Sequence, residues 1–138
     1  MRDIETRADI DKLMDLFYER ALVDGTIGYI FTDVARLDLE HHLPIIGDFW
    51  ESLLFGTDVY AKHGRNPLMV HQELHSKSSL TREHFQRWLE IFTTTVDEVF
   101  EGERADHIKM RARAIAGRMR DFLQVDSIHD RTGGSRPT

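Results

Sequence analysis

Prolines stand at only three positions, Pro44, Pro67 and Pro137, and between them apolar residues recur every three or four places. Proline lacks the donor N–H and its ring clashes with the preceding turn, so it ends or kinks helices. A chain with so few can run long helices. The opening segment carries Ile10, Leu13, Met14, Phe17 and Ala21 on one helical face, with Asp9 a plausible N-cap and Asp24-Gly25 a stop. A short segment, Ile27 to Val34, follows. The next helix is expected to start near His41–Pro44, where proline suits a first turn, and to present Leu43, Ile46, Phe49, Trp50, Leu53 and Leu54 before Gly56-Thr57 ends it. Asp58 to Asn66 reads as a loop, and Leu68 to about His75 as a short helix. Thr81 to Phe100 forms a long helix with His84, Trp88, Ile91, Phe92, Thr95 and Val99 in a stripe. Ala105 to Phe122 forms the last, with Ile108, Ala112, Ile115, Met119 and Phe122. Nothing alternates with a period of two. The fold class is therefore all-α, with about five substantial helices in one domain over residues 1–125. The Gly/Ser/Arg/Pro-rich stretch 126–138 is expected to be a disordered tail.

Composition removes several functions. With no cysteine, the chain has no disulfide, thiolate haem ligand or cysteine-based zinc or iron–sulfur site. A net charge of −6, with 24 Asp and Glu against 18 Lys and Arg, disfavours nucleic acid as the main partner. The basic stretch Lys109, Arg111, Arg113, Arg118 and Arg120 alternates with apolar residues and reads as the solvated side of an amphipathic helix. No apolar run approaches the roughly 18 residues that span a bilayer, and the acidic N-terminus does not resemble a secretory signal, so the expected location is the cytoplasm.

Eight histidines then need explaining: His41, His42, His63, His71, His75, His84, His107 and His129. There is no HExxH pair and no Asp/Glu/His cluster with the spacing of a bundle metal site. A lone histidine is more often structural than a ligand, but context singles out two. His42 precedes Ile46 by one helical turn and shares its apolar face. His71 follows Asn66-Pro67 in the apolar piece Leu68-Met69-Val70. Imidazoles on two separate segments suit a planar cofactor between helices, one as axial ligand and the other over the opposite face.

The segments Leu16-Phe17-Tyr18, Ile27-Gly28-Tyr29-Ile30-Phe31 and His42 through Trp50 resemble the group III truncated haemoglobins. So do Gly56-Thr57, Tyr60, Asn66-Pro67 with His71, His84 through Leu89, Thr95 through Glu98, and the Arg111-Ala112 and Ile115-Ala116 pairs. These pieces fall in family order over roughly residues 3–123. Tyr29 and Leu39 depart from it, standing where proline and tryptophan are common. The resemblance implies a compact truncated globin fold, a helical sandwich around a non-covalent haem b (iron protoporphyrin IX). It makes His71 the iron ligand, with its other ring nitrogen donating to a backbone carbonyl. It places Tyr18, His42 and Trp88 as distal groups that stabilise a bound ligand, with Ile46 closing the pocket. Phe31 and Trp50 would touch the haem plane and edge, Tyr60 its rim. Tyr60, Lys62 and Arg65 could pair with propionates, or be simple surface groups; His84 is structural or propionate-facing. Tyr18, Trp88, Phe31 and Trp50 also serve as ordinary core aromatics.

The ligands so implied are dioxygen, nitric oxide, carbon monoxide or peroxide, with a separate reductase and neither nucleic acid nor membrane as partner. Three activities follow from the resemblance: diatomic binding with oxidation of nitric oxide to nitrate; peroxidase-like chemistry; or a non-enzymatic oxygen or redox sensor, or haem carrier. A bare-metal site without haem is the remote alternative.

Overall fold

A computed structural model describes residues 1–125; the expected tail, 126–138, lies outside the described residues. The described residues form five α-helices, α1 (Arg7–Ala21), α2 (Leu39–Phe55), α3 (Pro67–Lys77), α4 (Arg82–Val99) and α5 (Glu103–Leu123), and no strand. The all-α expectation is met, with boundaries shifted by one to four residues.

Each shift has a local cause. Thr6, not Asp9, caps α1: its hydroxyl accepts from the Asp9 N–H, while the Asp9 carboxylate accepts from the Thr6 N–H, closing a capping box. The Arg2 bond, against the cost of burial, holds the Asp9 carboxyl down at about 2. Helix α2 starts earlier than expected, at Leu39, so Pro44 sits inside it rather than in its first turn. It ends at Gly56, where φ of +71° suits the residue without a Cβ. Asn66 caps α3 by accepting from the Leu68 N–H, and Pro67 takes the first helical position. Thr81 caps α4. The segment after α1 winds into a single π-type turn, Ile30–Val34, and the loop before α3 contains a 3-10 turn, Ala61–His63.

Helix α1 packs between α2 and α4, α5 packs along α4, and α5 also reaches α2 and α3. The core gathers where these meet: Ile4, Ile10, Leu13, Phe17, Phe92, Val96 and Ile108 are essentially inaccessible to solvent. Phe122, expected on the inner stripe of α5, is 42% exposed. The basic face of α5 is solvated at Arg111, Arg113 and Arg118, while Lys109 pairs with Asp97 and Asp106.

The start of α5 is capped from a distance. Gly102, at φ +140°, precedes it, and Asp3 supplies the acceptors: Oδ2 takes the Arg104 N–H at 2.9 Å and Oδ1 the Ala105 N–H at 2.8 Å. A Cβ on residue 102 would stand 2.6 Å from the Asp3 carboxyl carbon, so glycine is required for this approach. The N-terminal strap thereby closes the helix stack.

Helix α3 is the exception. None of its side chains is buried, whereas every other helix buries several. An 11-residue helix has little stability of its own in water. Its inward residues face a cavity.

Candidate functional site

The five helices and the segment after α1 enclose a cavity of about 370 Å³, within the range of small-molecule and cofactor sites. Its wall is largely apolar. The residues singled out from sequence all lie on it: Tyr18, Phe31, His42, Ile46, Trp50, Tyr60, His71 and Trp88. They come from α1, the π-type turn, α2, the loop before α3, α3 and α4, so only the folded chain brings them together.

On one wall, His71 Nδ1 lies 2.8 Å from the Pro67 carbonyl, one turn earlier in α3. A carbonyl only accepts, so Nδ1 carries the hydrogen and the neutral ring keeps its lone pair at Nε2. That nitrogen is on the side of the ring away from the helix backbone, toward the cavity. Burial pushes the His71 pKa down and the Arg65 charge adds to this; the Pro67 bond opposes them without reversing the direction. The ring is neutral near pH 7, the state a metal ligand requires.

The other described histidines are committed differently. His75 Nδ1 accepts from the Leu80 N–H at 2.9 Å, and His84 Nδ1 from the Thr81 N–H at 3.0 Å. His84 Nε2 meets the Tyr29 hydroxyl at 3.1 Å, which makes His84 a structural residue at the cavity edge. His63 donates to Asp48, and His41 and His107 are exposed; His129 lies outside the described residues. Of the cavity histidines, His42 and His84 each turn Nε2 to a tyrosine hydroxyl, whereas His71 engages Nδ1 and leaves Nε2 for a metal. Among the described residues no three His, Asp or Glu side chains converge as a metal site would need.

Elsewhere on the cavity wall, Tyr18 Oη and His42 Nε2 are 2.8 Å apart, with the rings edge-to-face at 5.4 Å. Tyr18 is only 5% exposed, and burial pushes its phenol well above the usual range. Burial foremost, then the charges of Arg65, His41 and His71, hold His42 down at about 4. Both groups are neutral at pH 7, and the tautomer of His42 decides which one donates. Behind them Phe17 sets its edge against Tyr18 and Trp88, while Trp88, Phe92 and Trp50 stack at 5.2 Å per step. This aromatic layer locks the donors in place. Phe31 closes the side with its edge on Tyr18 at 5.7 Å.

At the rim, Tyr60 packs edge-on against Phe49 and donates its backbone N–H to Ser52 Oγ. Arg65 and Lys77 line the cavity, but Lys62 turns away to Asp48 at 3.6 Å. Sequence reasoning missed Lys77, and it missed the buried Asp48 with its partners Arg7 and His63. The i+7 spacing of Lys77 from Val70 and its i+3 spacing from Leu74 could have placed Lys77 on the inner face of α3; nothing local marks Asp48.

The site fits a flat, largely apolar group with one axial imidazole. It offers a half-buried His71 whose Nε2 is left for a metal, polar groups on the same cavity wall, and a helix that packs on the core only through Leu68 and Leu74.

The model of the bacterial-like globin family matches residues 3–121. The chain is 32% identical over 117 residues to a group 3 truncated haemoglobin from Campylobacter jejuni, spanning 83% of this chain and 87% of that protein. It is 33% identical over 90 residues to a group 1 truncated haemoglobin from Synechocystis, spanning 65% and 68% respectively. The crystal structure of a group III truncated haemoglobin from Campylobacter jejuni is similar to it with a TM-score of 0.76 at 29% identity, covering 89% of this chain and 95% of that one.

Proposed function

This chain belongs to the bacterial-like globin family as a truncated haemoglobin of the third group, and from that premise we propose that His71 would hold haem b, which would supply the chemistry for binding dioxygen and oxidising nitric oxide to nitrate. The observation that carries this reading is one cavity lined both by His71, whose Nδ1 is held by Pro67 and whose Nε2 is left for a metal, and by the Tyr18–His42 pair.

Bound haem supplies an iron that takes a diatomic ligand and exchanges electrons with it. The chain's own residues do the rest. His71 holds the metal, and its Nδ1–H bond to Pro67 fixes the ring plane and raises the ligand's basicity. Tyr18, His42 and the Trp88 indole N–H hold partial negative charge on a ligand in a poorly hydrated space, where such bonds count most. Ile46 and Phe31 keep water out. Phe31, Ile46, Trp50 and Tyr60 are the contacts to the faces and edge of the group. Converting nitric oxide and dioxygen to nitrate consumes one electron per turn, so a separate reductase must supply it. The reaction takes place in the cytoplasm.

Rapid mixing tests this. Nitric oxide added to the oxygenated protein yields stoichiometric nitrate within the mixing time; an oxygenated protein that persists beside nitric oxide refutes the reading. A second activity, peroxide reduction, is favoured by one observation: neutral His42 beside Tyr18 can accept a proton from an incoming peroxide. An unchanged rate of reaction with hydrogen peroxide in His42→Leu removes that role. A sensing or haem-carrier role requires instead a partner protein that binds in one ligand state alone.

A further inference from the structure

Asp48 is 7% exposed on α2, outside the set of residues facing the cavity. Its Oδ1 accepts from Arg7 at 2.6 Å and its Oδ2 from His63 Nε2–H at 2.8 Å, with Lys62 at 3.6 Å. Arg7 also bonds Glu51, Asp11 and the Pro44 carbonyl, and it crosses α2 over Gly47, where a Cβ would meet its guanidinium at 2.6 Å. Burial alone would raise the Asp48 pKa; the His63 and Arg7 bonds outweigh it and hold the carboxyl below its usual range. A buried carboxylate with this many charged bonds is a fixed point of the structure.

His63 and Lys62 belong to the 3-10 turn before α3, so this fixed point grips that turn. From His63 the chain passes through Gly64, at φ +58°, to Asn66 and Pro67, the cap and first residue of α3. The far end of α3 is tied by His75 to the Leu80 N–H. No side chain of α3 is fully buried; only the half-buried Leu68 and Leu74 pack it against the core, so the anchors at its two ends bear strongly on where it lies.

We propose that Asp48 is a positioning residue for the iron ligand: by holding His63 it fixes the turn from which α3 starts, and so places the Pro67 carbonyl that orients His71. This rests on the reading of His71 as ligand, and the test separates the two.

The test uses the haem-loaded protein, reading the iron–histidine stretching band of the ferrous, ligand-free form and the rate of haem loss to an acceptor protein. Asp48→Asn and His63→Leu shift the band and speed haem loss about three- to tenfold, less than the 10–100-fold typical of groups bonded directly to a metal ligand. His63→Gln, which keeps an N–H where Nε2 stood, restores the wild-type band. Asp3→Ala, which weakens the distant α5 cap, lowers stability and leaves the band in place. Bands of Asp48→Asn and His63→Leu that coincide with wild type, or an equal shift in Asp3→Ala, overturn the proposal. Should Asp48→Asn fail to fold, His63→Leu carries the test, since its side chain is partly at the surface. A wild-type protein with no such band overturns the reading of His71, and this proposal falls with it.

Discussion

The phenol of Tyr18 and the imidazole of His42 meet at 2.8 Å across the seam between α1 and α2, and each is the other's hydrogen-bond partner inside a largely apolar cavity. Ligand retention should therefore depend on Tyr18. Removing one neutral hydrogen bond costs about 0.5–1.5 kcal/mol, and at 1.4 kcal/mol per tenfold that is roughly a 2- to 12-fold faster escape. Tyr18→Phe is expected to raise the dioxygen dissociation rate by this much, measured by flash photolysis or displacement with carbon monoxide. An unchanged rate would mean that Trp88 or His42 acts alone.

The burial that suits His42 to this pair also costs acid stability. Its pKa is about 4 in the folded chain, against about 6.5 unfolded. Between these values the unfolded state binds more protons, so stability rises with pH through this window and is lost as pH falls from 6.5 toward 4. After discounting for its partial exposure, the loss is on the order of 2 kcal/mol. Denaturant titrations from pH 7 to pH 4 should show a shallower fall in His42→Leu than in wild type. Equal slopes would place the acid sensitivity elsewhere.

Much of this was legible in the residue order, and the reason is periodicity. Ile10, Leu13 and Phe17, or Ile91, Phe92 and Thr95, carry helix and face together, because three- and four-residue spacing is itself the geometry of a buried helix face. Asn66, Pro67 and the cavity position of His71 were legible for the same local reason: cap, first turn and cavity histidine lie within one and a half turns. Asp3 and Asp48 were not. Their partners stand about 100 residues away in one case and 15 to 41 in the other, and no spacing rule links residues that meet only through tertiary packing. Asp9 misled because it does serve the cap of α1, from within the helix rather than ahead of it.

The distant cap gives a prediction of its own. Asp3→Ala removes two acceptors from the first turn of α5 and should destabilise the protein by about 0.5–2 kcal/mol, as other N-cap losses do. Gly102→Ala should cost at least as much, because it adds backbone strain at φ +140° to the loss of the same approach. Chemical denaturation reads both. A neutral Gly102→Ala would mean the N-terminal strap is not held there.

Helix α3 should be the element most dependent on the cofactor. With no fully buried side chain of its own, it gains a further packing partner when haem is bound. Hydrogen exchange should show amides in 67–77 protected in the loaded protein and fast in the haem-free one, while α1, α4 and α5 change little. Equal protection of α3 in both states would contradict this.

The central claim is that His71 holds the iron, and the absorption spectrum of purified protein beside His71→Ala, in ferric, ferrous and carbon-monoxide states, tests it most directly. The account predicts a haem spectrum in the wild type whose histidine-ligated features vanish in the variant. Identical spectra in the two proteins, or no haem band in either, would contradict it.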